Sequence, residues 1–212
     1  MIEFEQEAVL TEDKTKMHEQ LWEKLVGLDP TDTAVRSRCR FDGESSTFIV
    51  PLMGKDFVVD GGQKLIAPVD DPETQAGFLE QLCILAYLIN ASDIPIAGKL
   101  VSGEKLDAGQ FFFRGPHGLP TPKLEEAFGD EPSLLHEAAA ALNAEPCEYG
   151  DASISLAILP NVPVVFVIWG RDEEFEARAS ILFDETASRQ LPLDALLAGV
   201  QLAVNKLIEA VE

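Results

Sequence analysis

Arg114-Gly115-Pro116-His117-Gly118 holds the residue types best suited to chemistry at close quarters in this chain. A guanidinium is a planar, permanently charged clamp for an anion. An imidazole three positions later can give or take a proton near neutral pH. The aromatic run Phe111-Phe112-Phe113 stands directly before them, and Lys99 lies in the Gly98-Lys99 turn upstream. Lys99, Phe111, Phe113, Arg114 and His117 are therefore the candidate ligand-binding residues. The plainer reading is a tight turn whose histidine is solvated or caps a helix end, with Lys99 an ordinary surface lysine. No nucleophile or carboxylate partner is specified nearby, so no catalytic residue is assigned.

Two further places invite a chemical reading. The run Asp172-Glu173-Glu174, with Glu176, offers carboxylate oxygens to a hard cation such as Ca²⁺ or Mg²⁺. Its spacing does not match an Asp-x-Asp-x-Asp-Gly loop, and a solvated hairpin tip between two apolar strands accounts for it. Asp184, directly after Ile181-Leu182-Phe183, is either a carboxylate held at a strand end or a cap for the turn Glu185-Thr186-Ala187. Capping is the favoured role. A metal site from His117, His136, Cys147 or Cys39 would need a convergence that spacing cannot reveal, and no metal is assigned. The chain has no phosphate-cradling Gly-x-x-x-x-Gly-Lys-Ser/Thr, no Gly-x-Gly-x-x-Gly after a strand, no His-Glu-x-x-His and no Gly-x-Ser-x-Gly. Nucleotide-dependent and common hydrolytic chemistries lose their usual support, and no cofactor is implied.

Composition narrows the partners. In 212 residues, 37 Asp+Glu against 16 Lys+Arg leave a net charge of −21. That field repels a phosphate backbone and an anionic membrane surface, so nucleic acid and membrane are excluded as partners. Solubility is the plain reason for such acidity; a salty habitat or a basic partner are the others. Cys39, Cys83 and Cys147 are scattered, with no Cys-x-x-Cys pair, which fits a reducing compartment. The first residues, Met1 to Glu7, are acidic where a signal peptide is basic. No apolar run approaches the ~20 residues of a membrane helix. The expected location is the cytoplasm.

Local patterns along the chain predict the elements that must position these residues. Thr11 opens a first helix to about Leu28, stopped by Asp29-Pro30. Arg38 to Asp42, Thr47 to Leu52 and Phe57 to Val59, separated by glycine turns, read as a β-meander. Asp70-Asp71-Pro72 starts a helix that runs to Asn90, apolar around so much of its circumference that it must be central. The segment 94–122 is dense in proline and glycine, with Phe111 to Phe113 as a short strand or extended aromatic stretch. Two helices come next, at Pro122 to Phe128 and Ser133 to Leu142, then a strand from Cys147 to Leu159. Val164 to Trp169 has no alternation, so it is covered on both faces or central in its sheet. Phe175, Ala177, Ala179, Ile181 and Phe183 make one face of its partner strand. From Leu193 to Val211 an apolar stripe at helical spacing marks a long amphipathic helix. The expected architecture is a single α+β domain over 1–212, with its core at about 14–207. A mainly antiparallel sheet packs on a buried central helix and a C-terminal amphipathic helix.

Several of these stretches together resemble one family. The Leu25 to Pro30 helix end, the Arg38 to Val59 meander, and Ile96 to Leu106 followed by Phe111 to Arg114 are three of them. The fourth is the close from Leu159 to Leu207, with its Leu-Pro-x-Val-Pro, strand, Trp, acidic turn, Ile-Leu-Phe-Asp and helix. The pattern is similar to the bacterial and archaeal domain family of unknown function number 3786, over roughly Lys14 to Leu207. The resemblance implies the fold boundaries and no catalytic residues. Some members carry a cysteine-rich iron–sulfur segment ahead of the domain; here no cysteine precedes Cys39.

The function read from the residues is a non-catalytic accessory domain that binds a small molecule or a protein partner through the 94–122 loops. An enzyme on a small anionic substrate, with Arg114 and His117 as clamp and acid/base, is the alternative. A redox or corrinoid-associated accessory is implied only by the family.

Overall fold

The computed structural model describes residues 18–211. Helix α1 occupies residues 18–26 of this range and ends before Asp29-Pro30, as predicted; its expected start at Thr11 lies outside the described residues. The same dipeptide also opens a second helix, α2 (Pro30–Ser37), where the sequence pattern predicts none. The Asp29 carboxylate accepts the Asp32 N–H at 2.8 Å. Proline at the first helical position has no N–H to leave unpaired. One signal thus stops one helix and starts the next.

The meander is a four-stranded antiparallel sheet in sequence order: β1 (Arg40–Asp42), β2 (Thr47–Leu52), β3 (Lys55–Asp60) and β4 (Leu65–Pro68). Period-two alternation buries Phe48, Val50 and Leu52 with Phe57 and Val59. Met53 and Gly54, both at positive φ (49° and 77°), form the two-residue turn between β2 and β3. The Met53 N–H donates to the Ile158 carbonyl at 3.0 Å, so the hairpin tip is tied to the second sheet. β4 is an addition to the predicted strands. The Asp60 carboxylate accepts the Gly62 and Gln63 N–H groups at 2.9 Å each, turning the chain back alongside β3.

The central helix, α3 (Phe78–Asn90), begins six residues later than Pro72. Residues 72–77 are held differently: the Ala76 N–H donates to the Ile66 carbonyl at 2.8 Å, beside β4. The Glu80 carboxylate then accepts the Gly77 N–H at 2.9 Å and caps the helix there. Cys83, Ile84, Leu85, Tyr87 and Leu88 are fully buried, which confirms the central position. Each such leucine or isoleucine contributes about 1.5–3 kcal/mol by leaving water.

A five-stranded antiparallel sheet has the order β5-β9-β8-β7-β6, with β5 (Leu100–Ser102), β6 (Glu145–Pro146), β7 (Ala152–Leu159), β8 (Val162–Trp169) and β9 (Arg178–Asp184). β8 is its middle strand, and Val164 to Ile168 are all buried, as an unbroken apolar run requires. The predicted mainly antiparallel sheet is thus two sheets. β9 starts at Arg178 instead of Phe175, because Asp172 accepts the Glu174 and Phe175 N–H groups at 2.7 Å each and closes a side-chain turn.

Helices α5 (Thr121–Phe128) and α6 (Leu134–Ala141) lie within a residue of their expected places. The C-terminal amphipathic helix, α8 (Leu193–Glu209), packs against α3 and β7. At its middle, a Cβ on Gly199 would stand 3.0 Å from Ile158 Cγ2, a tight contact, so glycine lets the helix come this close without displacing that side chain. One cluster of buried apolar side chains runs through both sheets and these helices. No helix among the described residues is long and apolar enough to cross a membrane.

A buried polar knot joins the layers. Tyr87 Oη donates to the Ser37 carbonyl at 2.8 Å and accepts the Asn161 N–H at 3.0 Å. Asn161 Nδ2 donates to the Arg36 carbonyl at 3.0 Å. These bonds connect α2, α3 and the β7–β8 turn directly. Tyr87→Phe leaves the buried Asn161 N–H without its acceptor, and should cost about 1–3 kcal/mol. Urea unfolding should show the midpoint falling with an unchanged slope.

Candidate functional site

The site is built from the end of β9. Asp184 is 1% exposed, and its carboxylate is met by four donors. Thr186 gives its N–H at 3.0 Å and its hydroxyl at 2.6 Å. Gly98 gives its N–H at 2.7 Å and Ala97 its N–H at 3.2 Å. Gly98 sits at φ +70°, in the left-handed region, where glycine carries no steric penalty. The capping role expected for Asp184 is therefore present, together with a second role: the same carboxylate clasps the incoming loop. Burial pushes this carboxyl up, but the hydrogen bonds from Thr186, Ala97 and Gly98 together outweigh it and hold it below the ordinary carboxylate range.

The clasp directs the chain downstream of Gly98. The Glu185 N–H donates to the Lys99 carbonyl at 3.0 Å, and β5 pairs with β9 in the register Leu100–Asp184 and Val101–Phe183. Lys99 is thereby placed beside Glu185, Nζ to Oε2 at 2.6 Å, and this hydrogen bond raises the lysine's pKa. The short turn Gly103–Lys105 places Lys105, and the single-turn helix α7 (Ala187–Gln190) places Arg189. These elements enclose a polar cleft of about 530 Å³ whose charged lining is Lys99, Lys105, Arg189, Asp107 and Glu185. Arg189 stands 3.8 Å from Asp107, and Lys105 has no ion-pair partner among the described residues. Gln190, fully buried, accepts the Ser92 N–H at 3.0 Å and donates to the Ile94 carbonyl at 3.1 Å, which anchors the loop's other end.

The candidate residues are distributed differently from their sequence proximity. Phe111 to Phe113 is not a strand: α4 (Gly109–Phe112) is one helical turn, because the Phe113 N–H bonds back to the Gly109 carbonyl at 3.0 Å. Phe113 is 8% exposed and its ring stacks 6.0 Å from that of Phe183, so it is an anchor of the loop in the core. Phe111 is 76% exposed. Arg114 and His117 are both exposed, with the His117 ring stacked on Phe112 at 4.7 Å. Neither lines the cleft; of the five candidates only Lys99 does. Lys105 and Arg189 are absent from the sequence-based candidates. The available signal was two lysines within seven residues of a chain poor in cations; nothing local ties either to Arg189.

The remaining sequence candidates find local partners. Asp172 is the turn residue described above, and Arg171 bridges Glu176 at 2.9 Å and Asp130, so the acidic run lies in a solvated loop. His136 Nε2 lies 3.2 Å from the Ser153 carbonyl. Among the described residues no group of three or more His, Cys, Asp or Glu is placed to hold a metal ion.

Two antiparallel sheets and a buried helix, with a charged cleft at the end of β9, define an α+β protein whose candidate site rests on a clasped loop. The chain belongs to the family described as "Domain of unknown function (DUF3786)", whose model matches residues 29–206. The match opens at the Asp29 cap, later than Lys14, and takes in both sheets. No curated protein and no solved structure matches the chain.

Asp184→Asn keeps one acceptor oxygen but replaces the other with an NH2 group that faces a backbone N–H donor, and should cost about 1–3 kcal/mol at neutral pH. Because the folded carboxyl titrates below the unfolded one, its contribution is complete above roughly pH 4 and fades as pH falls through the folded value. The stability gap between wild type and variant, measured by urea unfolding from pH 7 to 2.5, should therefore stay level and then narrow in acid.

Proposed function

We propose that the chain is a non-catalytic binding domain that takes a small, multiply charged anion into the cleft of Lys99, Lys105 and Arg189. The observation that carries this reading is the gathering of three cations on one polar cleft in a chain of net charge −21. Lys99–Glu185 and Arg189–Asp107 are exposed pairs of the kind worth only about 0–1 kcal/mol. A ligand with two or more negative charges can displace Glu185 and Asp107 at little cost and also meet Lys105, which has no ion-pair partner among the described residues. The Asp184 clasp supports the reading by holding Lys99 and Glu185 on a fixed backbone, which lowers the ordering cost of binding.

The reactive side chains elsewhere favour binding over catalysis. Burial pushes the Cys39 thiol up to about 11 and the Cys83 thiol up to about 12, away from the thiolate form a nucleophile needs. The His117 ring is stacked on Phe112 outside the cleft, so it has no place in the reading. All three cysteines are free, in keeping with a cytoplasmic setting. The same negative field argues against a nucleic-acid partner.

Calorimetric titration with pyrophosphate and citrate at physiological salt should show one site, with affinity between roughly millimolar and micromolar. Lys105→Glu and Arg189→Glu should each weaken it about tenfold or more. No detectable heat with either anion, or affinities unchanged in both variants, would remove the cleft as the site.

A further inference from the structure

At the opposite end of β9 the chemistry reverses. Arg178, the first residue of that strand, lies six positions from Asp184, which at strand spacing is about 20 Å. Here a depression of about 330 Å³ is lined by Asp151, Trp169, Asp172, Phe175, Glu176 and Arg178, among others. Trp169 ends the largely buried strand β8, yet it is 41% exposed, and Phe175 is 67% exposed. Two large aromatic rings left open on the lining of one concave site are the surface signature of a binding face.

The polar part of the lining is organised in advance. Asp151 is held by the Gly170 N–H at 2.8 Å through Oδ2. Asp172 is held through Oδ1 by two backbone N–H groups at 2.7 Å. In both carboxylates the second oxygen accepts no hydrogen bond among the described residues. Glu176 adds a third negative charge, shared with Arg171 at 2.9 Å. Arg178 is the one cation on the lining; it is opposite Trp169 in the β8–β9 register and forms no ion pair among the described residues.

We propose that this depression is the receptor for a lysine or arginine side chain presented by a basic protein partner. An aromatic face attracts a cation through its quadrupole, and a fixed carboxylate beside it supplies the counter-charge. Charge complementarity selects the occupant. The whole chain carries −21, so it steers a basic surface toward itself and repels a second copy of itself. This site is independent of the anion cleft, shares no residue with it, and stands or falls without it.

The test uses the full chain and a blocked tetra-arginine peptide, with blocked tetra-alanine and tetra-glutamate peptides as controls. Trp22 is 1% exposed, so a change in tryptophan emission on titration reports Trp169. Anisotropy of the labelled peptide reads binding in variants that lack it. Tetra-arginine alone should bind with an emission change, and Trp169→Ala and Phe175→Ala should each weaken it roughly two- to fivefold. Asp172→Asn, which keeps the turn's acceptor, should weaken it as well, while Arg178→Ala should strengthen it. Glu23→Gln, an exposed acid on α1, should leave it unchanged.

Any of four results would overturn the proposal. Equal weakening by Glu23→Gln and Asp172→Asn would mean that the peptide responds only to the overall field. Unchanged binding in both aromatic variants, or weaker binding in Arg178→Ala, would mean that the depression is not where the cation sits. Sedimentation showing self-association that Phe175→Ala abolishes would make the occupant a second copy.

Discussion

A carboxylate taken out of water must find donors for its charge, and Asp184 finds them on two separate stretches of chain. Two come from Thr186, immediately downstream, and two from the backbone at Ala97 and Gly98. Without the second pair, the buried charge would carry an uncompensated desolvation cost. The polypeptide at Ala97 and Gly98 is therefore held against the end of β9. Once Gly98 is fixed, β5 must run along β9, Lys99 must stand beside Glu185, and the turns that carry Lys105 and Phe113 are placed in their turn. Phe113 completes the arrangement by packing on Phe183, the residue of β9 that pairs with Val101 of β5.

The rest of the molecule uses the same device on neutral groups. Tyr87, Asn161 and Gln190 are buried polar side chains whose partners are mostly main-chain groups of segments far away in sequence. Apolar burial supplies most of the driving force but has little directional preference. The polar knots select which of the many compact packings is adopted. Gly199 and the Met53-Gly54 turn act similarly through space and backbone geometry, letting α8 close on β7 and the first sheet reach Ile158. The result places two oppositely charged depressions at the two ends of one strand, each on a backbone already fixed by hydrogen bonds.

Much of this is legible residue by residue. The unbroken run Val164 to Trp169 announces a strand covered on both faces, and the stripe from Leu193 onward announces the last helix. Departures come where a side-chain hydrogen bond competes with a generic signal. Asp-Pro at 71–72 looks like a helix start, yet the Glu80 cap on Gly77 and the Ala76–Ile66 bond move the start to Phe78. Phe111 to Phe113 looks extended, yet a single turn of helix puts one phenylalanine in the core and another in water. Arg114 and His117 look like a pair because they are close in sequence; closeness along a Gly/Pro loop does not bring two side chains to one cavity.

Periodicity, caps and turn residues, all local properties, determined from the sequence by itself that the chain is α+β and antiparallel, with a buried central helix and an amphipathic last one. The family belonged to that level too, since its signature is a string of local patterns. Only the tertiary structure decided that Lys99, Lys105 and Arg189 share a cleft, and that Trp169 and Phe175 share another with Asp151. Those groupings depend on strand register and on hydrogen bonds spanning some ninety positions. Such contacts have no local periodicity to betray them, because the energy that selects them exists only once the chain has closed on itself.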